Sequence, residues 1–211
     1  IHPLQVTTEI TVQNISDGIT LQQEIRKKGE GAYSPLGQKP VKQTNVQTVF
    51  PVQEICLWEP ENPHLYEIRT SLWKNGEMID ARVDITGFLE AGFRKDGFYL
   101  NGKKLRLRGL NRHQSYPYVG YAAPASMQIF DADILKKELG VNAVRTSHYP
   151  QSQDFIRRCD EIGLLVFTEF PGWQHIGDEE WKRQAVQNLK EMIVQYRNHP
   201  TIILWGMRHN K

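Results

Sequence analysis

A β-sandwich over residues 1–86 followed by a parallel α/β half over residues 87–211 is the architecture this sequence predicts. Three observations carry it. Before residue 87, short stretches with period-two alternation are separated by turn residues, the pattern of a hairpin-rich sandwich. After residue 87, β-branched runs alternate with stretches whose apolar residues recur at helical spacing. The resulting order of strand, helix, strand, helix, strand, helix, strand implies a parallel sheet with right-handed crossovers.

The elements follow in order. LQVTTEITVQN alternates, and GITLQQEIRKKG follows with a glycine on each side. Gly29 to Pro40 is rich in Gly, Pro, Ser and Lys and reads as a long loop. TNVQTVFPVQEICLW and YEIRTSLWKNGEMIDARVDITG continue the strand pattern, the second with a hairpin turn at Asn75-Gly76. In the second half, FYLNGKKLRLRGLNRH gives a hairpin at Asn101-Gly102 and then a strand into Arg112 and His113. DADILKKELG reads as a helix with Asp131 as N-cap and Gly140 as its stop. VNAVRTSH is a strand, PQSQDFIRRCDEIG a helix stopped by Gly163, and LLVFTEF a strand. DEEWKRQAVQNLKEMIVQYRNH is a long amphipathic helix, acidic in its first turn. TIILW, after Pro200, reads as a last buried strand. Four parallel strands fit an open sheet or half of a (β/α)₈ barrel, since a complete barrel needs about 250 residues.

Composition narrows the function. Apolar residues make up 39% and charged residues 24%, an ordinary globular balance. A net charge of +2 gives no footprint for nucleic acid or an anionic membrane. No apolar run approaches the roughly 20 residues that span a bilayer. There is no Gly-rich phosphate loop of GxGxxG or GxxxxGK[ST] type. Cys56 and Cys159 lack metal spacing and are expected to be buried free thiols. The chain opens on Ile1 with no signal segment, so a cytoplasmic location and a removed start are expected.

What remains is the row of strand ends. The four parallel strands end in Asn111-Arg112-His113, in Arg145-Thr146-Ser147-His148, in Glu169, and in Asn210-Lys211. Polar groups at successive C-terminal strand ends converge on one face, the position of the site in this architecture. Such donors and acceptors suit polyhydroxylated ligands, and Trp173 and Trp205 offer either apolar faces for sugar C–H groups or core packing. A metal reading from His113, His148 and His175 is disfavoured, because they fall on three separate segments. No metal and no cofactor are expected.

FYLNGKKLRLRGLNRH, NAVRTSHYP, CDEIGLLVFTE and NHPTIILW together resemble the catalytic barrel of glycoside hydrolase family 2. LWEPENPHLY followed by TGF resembles the end of the immunoglobulin-like sandwich that precedes it. The resemblance implies an immunoglobulin-like β-sandwich over 1–86 and the first half, about four βα units, of a TIM (β/α)₈ barrel over 87–211. It implies a retaining β-glycosidase, with GLNRHQSYPYVGYA closer to β-galactosidases than to β-glucuronidases. The expected substrate is then a β-linked oligosaccharide or galactoside.

Residue by residue, His113 resembles the histidine that helps stabilise the transition state, and Arg145 and His148 the pocket residues of the VRTSHYP motif. Glu169, Trp173 and Trp205 are assigned to the same sugar pocket. Asn210 resembles the asparagine that binds the 2-hydroxyl directly before the acid/base glutamate, whose position here holds Lys211. A lysine is a cation at neutral pH, the wrong charge beside an oxocarbenium-like transition state. Some β-galactosidases of the family hold magnesium through a Glu and a His after the third strand. His175 stands at that His, but Trp173 at that Glu. The sequence is therefore read as a middle piece of a larger enzyme, inactive alone, with an incomplete barrel that invites self-association. The alternatives are a β-glucuronidase or other family member, or a non-catalytic carbohydrate-binding or scaffold remnant.

Overall fold

The computed structural model describes residues 4–52, 54–172 and 175–207. The chain divides into two compact units, one of residues 1–56 and 64–86, the other of residues 57–63 and 87–211.

The first unit holds six strands: β1 (Gln5–Thr11), β2 (Ile19–Lys27), β3 (Ser34–Pro40), β4 (Asn45–Pro51), β5 (Tyr66–Lys74) and β6 (Glu77–Thr86). β1 and β4 pair antiparallel as one sheet, and the other four form a second in the order β3-β2-β5-β6. Alternation supplies the core: Ile19 and Leu21 from β2 pack with Val12, Val41 and Val46. Gln23 continues that inward row and is buried, so its amide must find partners. It accepts hydrogen bonds from Thr48 at 2.7 Å and Thr8 at 3.1 Å, and donates to Thr70 at 3.0 Å. The β5–β6 turn falls on Asn75 and Gly76, with φ of 51° and 84°, the left-handed pair that a tight hairpin needs.

The loop expected from Gly29 to Pro40 is corrected by the structure, because Ser34–Pro40 is strand β3. β3 is an edge strand paired only to β2, and an edge tolerates Pro35 and Pro40, whose missing N–H groups cost no ladder bond there. Gly37 leaves room for the Phe50 ring, which a Cβ would meet at 2.3 Å.

On the outer face, Glu67 accepts from Arg26 Nε at 2.7 Å, Tyr33 Oη at 2.7 Å and the Gly29 amide at 3.2 Å. The Arg26 and Arg69 guanidiniums each lie 4.3 Å from the Tyr33 ring centre. The Tyr33 hydrogen bond first, then Arg26, holds the Glu67 carboxyl below its ordinary range. A depressed carboxyl stabilises the fold above its unfolded pKa, near 4.3, and that contribution is lost as pH falls through the folded value. The urea midpoint of the unsubstituted chain should therefore exceed that of Glu67→Gln at neutral pH, with the gap closing in acid. A gap that widens as pH falls would refute this.

In the second unit, β7 (Ala91–Arg94), β8 (Gly97–Leu100) and β9 (Lys103–Leu105) form a three-stranded antiparallel sheet. Its β8–β9 turn is Asn101-Gly102, with φ of 50° and 76°. The parallel sheet follows as β10 (Gly109–Arg112), β11 (Ala143–Thr146), β12 (Leu165–Glu169) and β13 (Ile202–Gly206), neighbours in chain order with no reversal. The connections are α1 (Ala125–Asp133), continued by a π-helical turn at Ile134–Glu138, then α2 (Gln153–Ile162) and α3 (Glu179–Tyr196). One core joins all three helices to the sheet: Ala132, Leu135, Phe155, Ile156, Cys159, Met192 and Tyr196 pack on Val144 and Val166.

Two helix boundaries agree with their caps. Ser152 accepts from the Asp154 amide and Asp178 from the Trp181 amide. α2 stops at Gly163, φ 72°, where a Cβ would sit 2.1 Å from the Pro60 carbonyl oxygen. The first helix departs from expectation. It starts after Pro124, so Asp131 lies inside it and caps nothing. TIILW is also less buried than its sequence implies, with Leu204 37% exposed, because β13 has a neighbour on one side only among the described residues. Of the two thiols, Cys159 is buried and Cys56 only half-buried.

Leu57–Pro63 packs wholly within this second unit. Trp58 is fully buried, and its indole donates to the Asp160 carbonyl at 2.8 Å. The Trp58 amide donates to the Phe88 carbonyl at 2.8 Å, and its own carbonyl accepts from Asn101 at 3.0 Å. Lys136 donates to the carbonyls of Pro60 and Gly163 at 3.0 and 2.9 Å, and burial holds its ammonium below the ordinary range. The Asp160 carboxylate meets His199 at 2.5 Å and the Thr201 amide at 3.1 Å, fixing the approach to β13. Burial pushes the Asp160 carboxyl up, against the opposing pull of His199.

Candidate active site

Register decides which side chains can meet. Asn111, Arg145, Phe167 and Leu204 align across the four strands, and Arg112, Thr146, Thr168 and Trp205 form the next row. Paired residues share a face and successive residues alternate, so these rows point to opposite sides of the sheet. The second row faces the helices: Thr146 and Thr168 are buried and Trp205 packs on the helix-side core. The first row, with Glu169 two residues beyond Phe167, faces the other way.

On that face three polar groups converge. Arg145 Nε donates to Glu169 Oε1 at 2.5 Å, and His148 Nδ1 lies 3.0 Å from Glu169 Oε2. Arg145 Nη2 is 3.4 Å from the same His148 nitrogen. Glu169, 7% exposed, is thus a buried carboxylate with both oxygens engaged, as a buried charge requires. The Arg145 guanidinium also stands 5.6 Å from the Phe167 ring centre. Gly206, paired with Glu169, makes the fit possible, since a Cβ there would meet Glu169 Cγ and Phe167 Cε2 at 2.8 Å each.

His113 joins this group from beyond β10. Its ring lies 5.6 Å from that of His148, at 79°, and 6.2 Å from that of Tyr149. Tyr149 in turn meets Tyr121 at 5.7 Å and 86°. The Tyr149 hydroxyl accepts from the Gln114 amide at 3.2 Å, and burial, with Tyr121 adding to it, pushes its phenol up. The cluster offers cationic and neutral donors beside one carboxylate. That array can hold several hydroxyls in fixed positions, and an aromatic wall flanks it.

Of the residues singled out in the sequence, the structure brings together Arg145, His148, Glu169 and His113. Arg112 is not with them. Its guanidinium turns to the helix side, donating to Asp131 at 2.8 Å, to Gln128 at 2.8 Å and to Gln151, above the Phe155 ring at 4.0 Å. Trp205 belongs to the core side as well. His175 packs its ring against Trp181 at 5.4 Å. Trp173, Asn210 and Lys211 lie outside the described residues. Tyr149 and Tyr121 were not singled out, although the aromatic density of HQSYPYVGYA and SHYP was the available signal.

Comparison with known proteins bears on this region directly. A model described as the TIM barrel domain of glycosyl hydrolases family 2 matches residues 92–210, and a further family 2 model matches residues 3–88. A β-galactosidase of Thermoanaerobacterium thermosulfurigenes is 57% identical over 173 residues, covering 82% of this chain and 24% of its own length. One from Thermoanaerobacter pseudethanolicus is 49% identical over 209 residues, 99% of this chain and 28% of its own. Among solved structures, a Bacteroides uniformis β-glucuronidase superposes with a TM-score of 0.85 at 32% identity, over 98% of this chain and 26% of that one. The chain thus spans about a quarter of the length of these relatives.

Proposed function

Because this chain belongs to glycosyl hydrolase family 2, we propose that it is part of a retaining β-glycosidase that removes terminal β-galactosyl groups. The observation that carries this reading is the Arg145–Glu169–His148 cluster on the C-terminal ends of adjacent parallel strands. In this reading β10 to β13 and their helices are the first half of an eight-stranded barrel, and the cluster lies in its mouth. Arg145 and His148 face the sugar hydroxyls, and Glu169 keeps both in place. His113 stands beside the ring that develops positive charge, and Asn210 takes the 2-hydroxyl.

Retention needs two carboxyls about 5 Å apart, one as nucleophile and one as acid/base. The carboxylate that this site presents among the described residues is Glu169, and its two oxygens are occupied by Arg145 and His148. The nucleophile is therefore assigned to a later strand of the complete barrel and the acid/base to the position that Lys211 holds, so the 211 residues alone are expected to be silent. The incomplete barrel is expected to self-associate through its open strand edges.

A β-glucuronide is the second reading, favoured by the likeness to the Bacteroides uniformis enzyme. The full-length gene product, assayed with aryl β-galactosides and β-glucuronides while NMR follows the first-formed anomer, separates them. Faster galactoside turnover with the β-anomer first is expected. A tenfold preference for glucuronide would replace the substrate, and an α-anomer first would overturn retention.

A further inference from the structure

The rings of His148, His113, Tyr149 and Tyr121 make a continuous series, each 5.6 to 6.2 Å from the next. One end is the buried Glu169 carboxylate beneath His148. The other is Tyr121, 63% exposed. Such a series has a direction. The polar end holds the groups that the proposed function assigns to the glycosyl unit, so what is attached to that unit is placed along the series toward the exposed ring.

The exposed end is held in place. The Tyr116 and Gly120 backbones exchange hydrogen bonds at 3.1 and 2.9 Å, and the Tyr116 hydroxyl donates to the Met127 carbonyl at 3.1 Å. Gln114 is fixed at both ends, its amide on Tyr149 and its side-chain oxygen on the Ser152 amide at 2.9 Å. Tyr121 therefore leaves a pinned turn with most of its ring open to water. A large ring held on a hydrogen-bonded turn with most of its face in water is placed to serve as a contact surface.

We infer that Tyr121, backed by Tyr149, forms the leaving-group subsite of this glycosidase, and that its substrates carry a ring there, a second sugar or an aryl group. The inference rests on the glycosidase reading and adds which part of the substrate this loop reads. Tyr121 touches no reacting atom in this scheme; it binds the departing ring through C–H and π contacts worth about three- to tenfold in affinity.

The test compares substrates with and without that ring on the full-length enzyme. A glycosyl fluoride fills the buried end but has only fluoride to place along the series. Tyr121→Ala should lower kcat/KM about three- to tenfold on a β-linked disaccharide and on an aryl glycoside, mostly through KM. Its effect on the glycosyl fluoride should stay within twofold. Tyr121→Phe, which keeps the ring, should restore both ring-bearing substrates. Loss on the aryl glycoside alone would assign an aryl group, and loss on the disaccharide alone a sugar. Equal loss on all three, or loss on none, would overturn the inference. Galactosyl and glucuronyl series are run in parallel, so the glycosyl assignment and the leaving-group assignment fail separately. Turnover of neither series by the unsubstituted enzyme would overturn both.

Discussion

Glu169→Gln should lower kcat/KM of the full-length enzyme about 100-fold without unfolding it. Glu169 holds two groups at once, Arg145 through one oxygen and His148 through the other. Glutamine keeps the shape but offers one oxygen and one NH₂, so it can satisfy only one of those contacts as the carboxylate does. The charge-assisted bond to Arg145 becomes an ordinary one, roughly half as strong. The substrate would then meet an Arg145 and a His148 free to shift, and a misplacement of about 1 Å costs on the order of 10² in rate. Because Glu169 acts by positioning, the loss should fall on kcat more than on KM, with an unchanged circular dichroism spectrum. A loss under threefold, or one confined to KM, would show that Glu169 is only a structural anchor.

The second large effect is on stability. Arg112→Met should destabilise the unit containing residues 87–211 by about 3–5 kcal/mol. Arg112 is buried and serves Asp131, Gln128 and Gln151 from one planar group. Methionine fills much of the volume above Phe155 but leaves the side-chain oxygens of Gln128 and Gln151, both 2% exposed, without the donor they accept from. Urea unfolding followed through the fluorescence of Trp58, Trp181 and Trp205 reads the change. Arg112→Lys is the companion variant: a lysine keeps the charge but cannot span three acceptors in a plane, so it should recover only part of the loss. A change below 1 kcal/mol for methionine would mean that those carboxamides find other partners.

Arg112 also shows where sequence reading stopped. RGLNRH and VRTSH each offer an arginine next to or near a strand-end histidine, and both arginines were placed among the site groups. Only register separates them: Arg145 shares a row with Phe167, and Arg112 lies one residue further on, facing the helices. A one-residue step reverses the face, and the step is set by pairing between strands, which the sequence of one strand does not contain. The same rule moves Trp205 to the core side. Turn chemistry was legible because it is local: Asn75-Gly76 and Asn101-Gly102 both adopt the left-handed pair their residues favour. Gly163 stops α2 for the same reason. Strand β3 was hidden by its prolines, which an edge accepts and a central strand would not. The ring series was missed because its members come from three separate segments, and only folding places them in line.

The segment from Leu57 to Pro63 has a consequence for how this protein can be divided. The chain leaves the sandwich unit at Cys56, contributes Trp58 to the other unit's core, and returns at His64 to finish the β5–β6 hairpin. No single break in the backbone separates the two units with both cores intact. A recombination event or a proteolytic nick at residue 86 would release a C-terminal piece lacking the tryptophan that its own Asp160 carbonyl receives. A cut at residue 86 therefore costs the second unit seven residues, 57–63, that remain on the first unit's piece of chain.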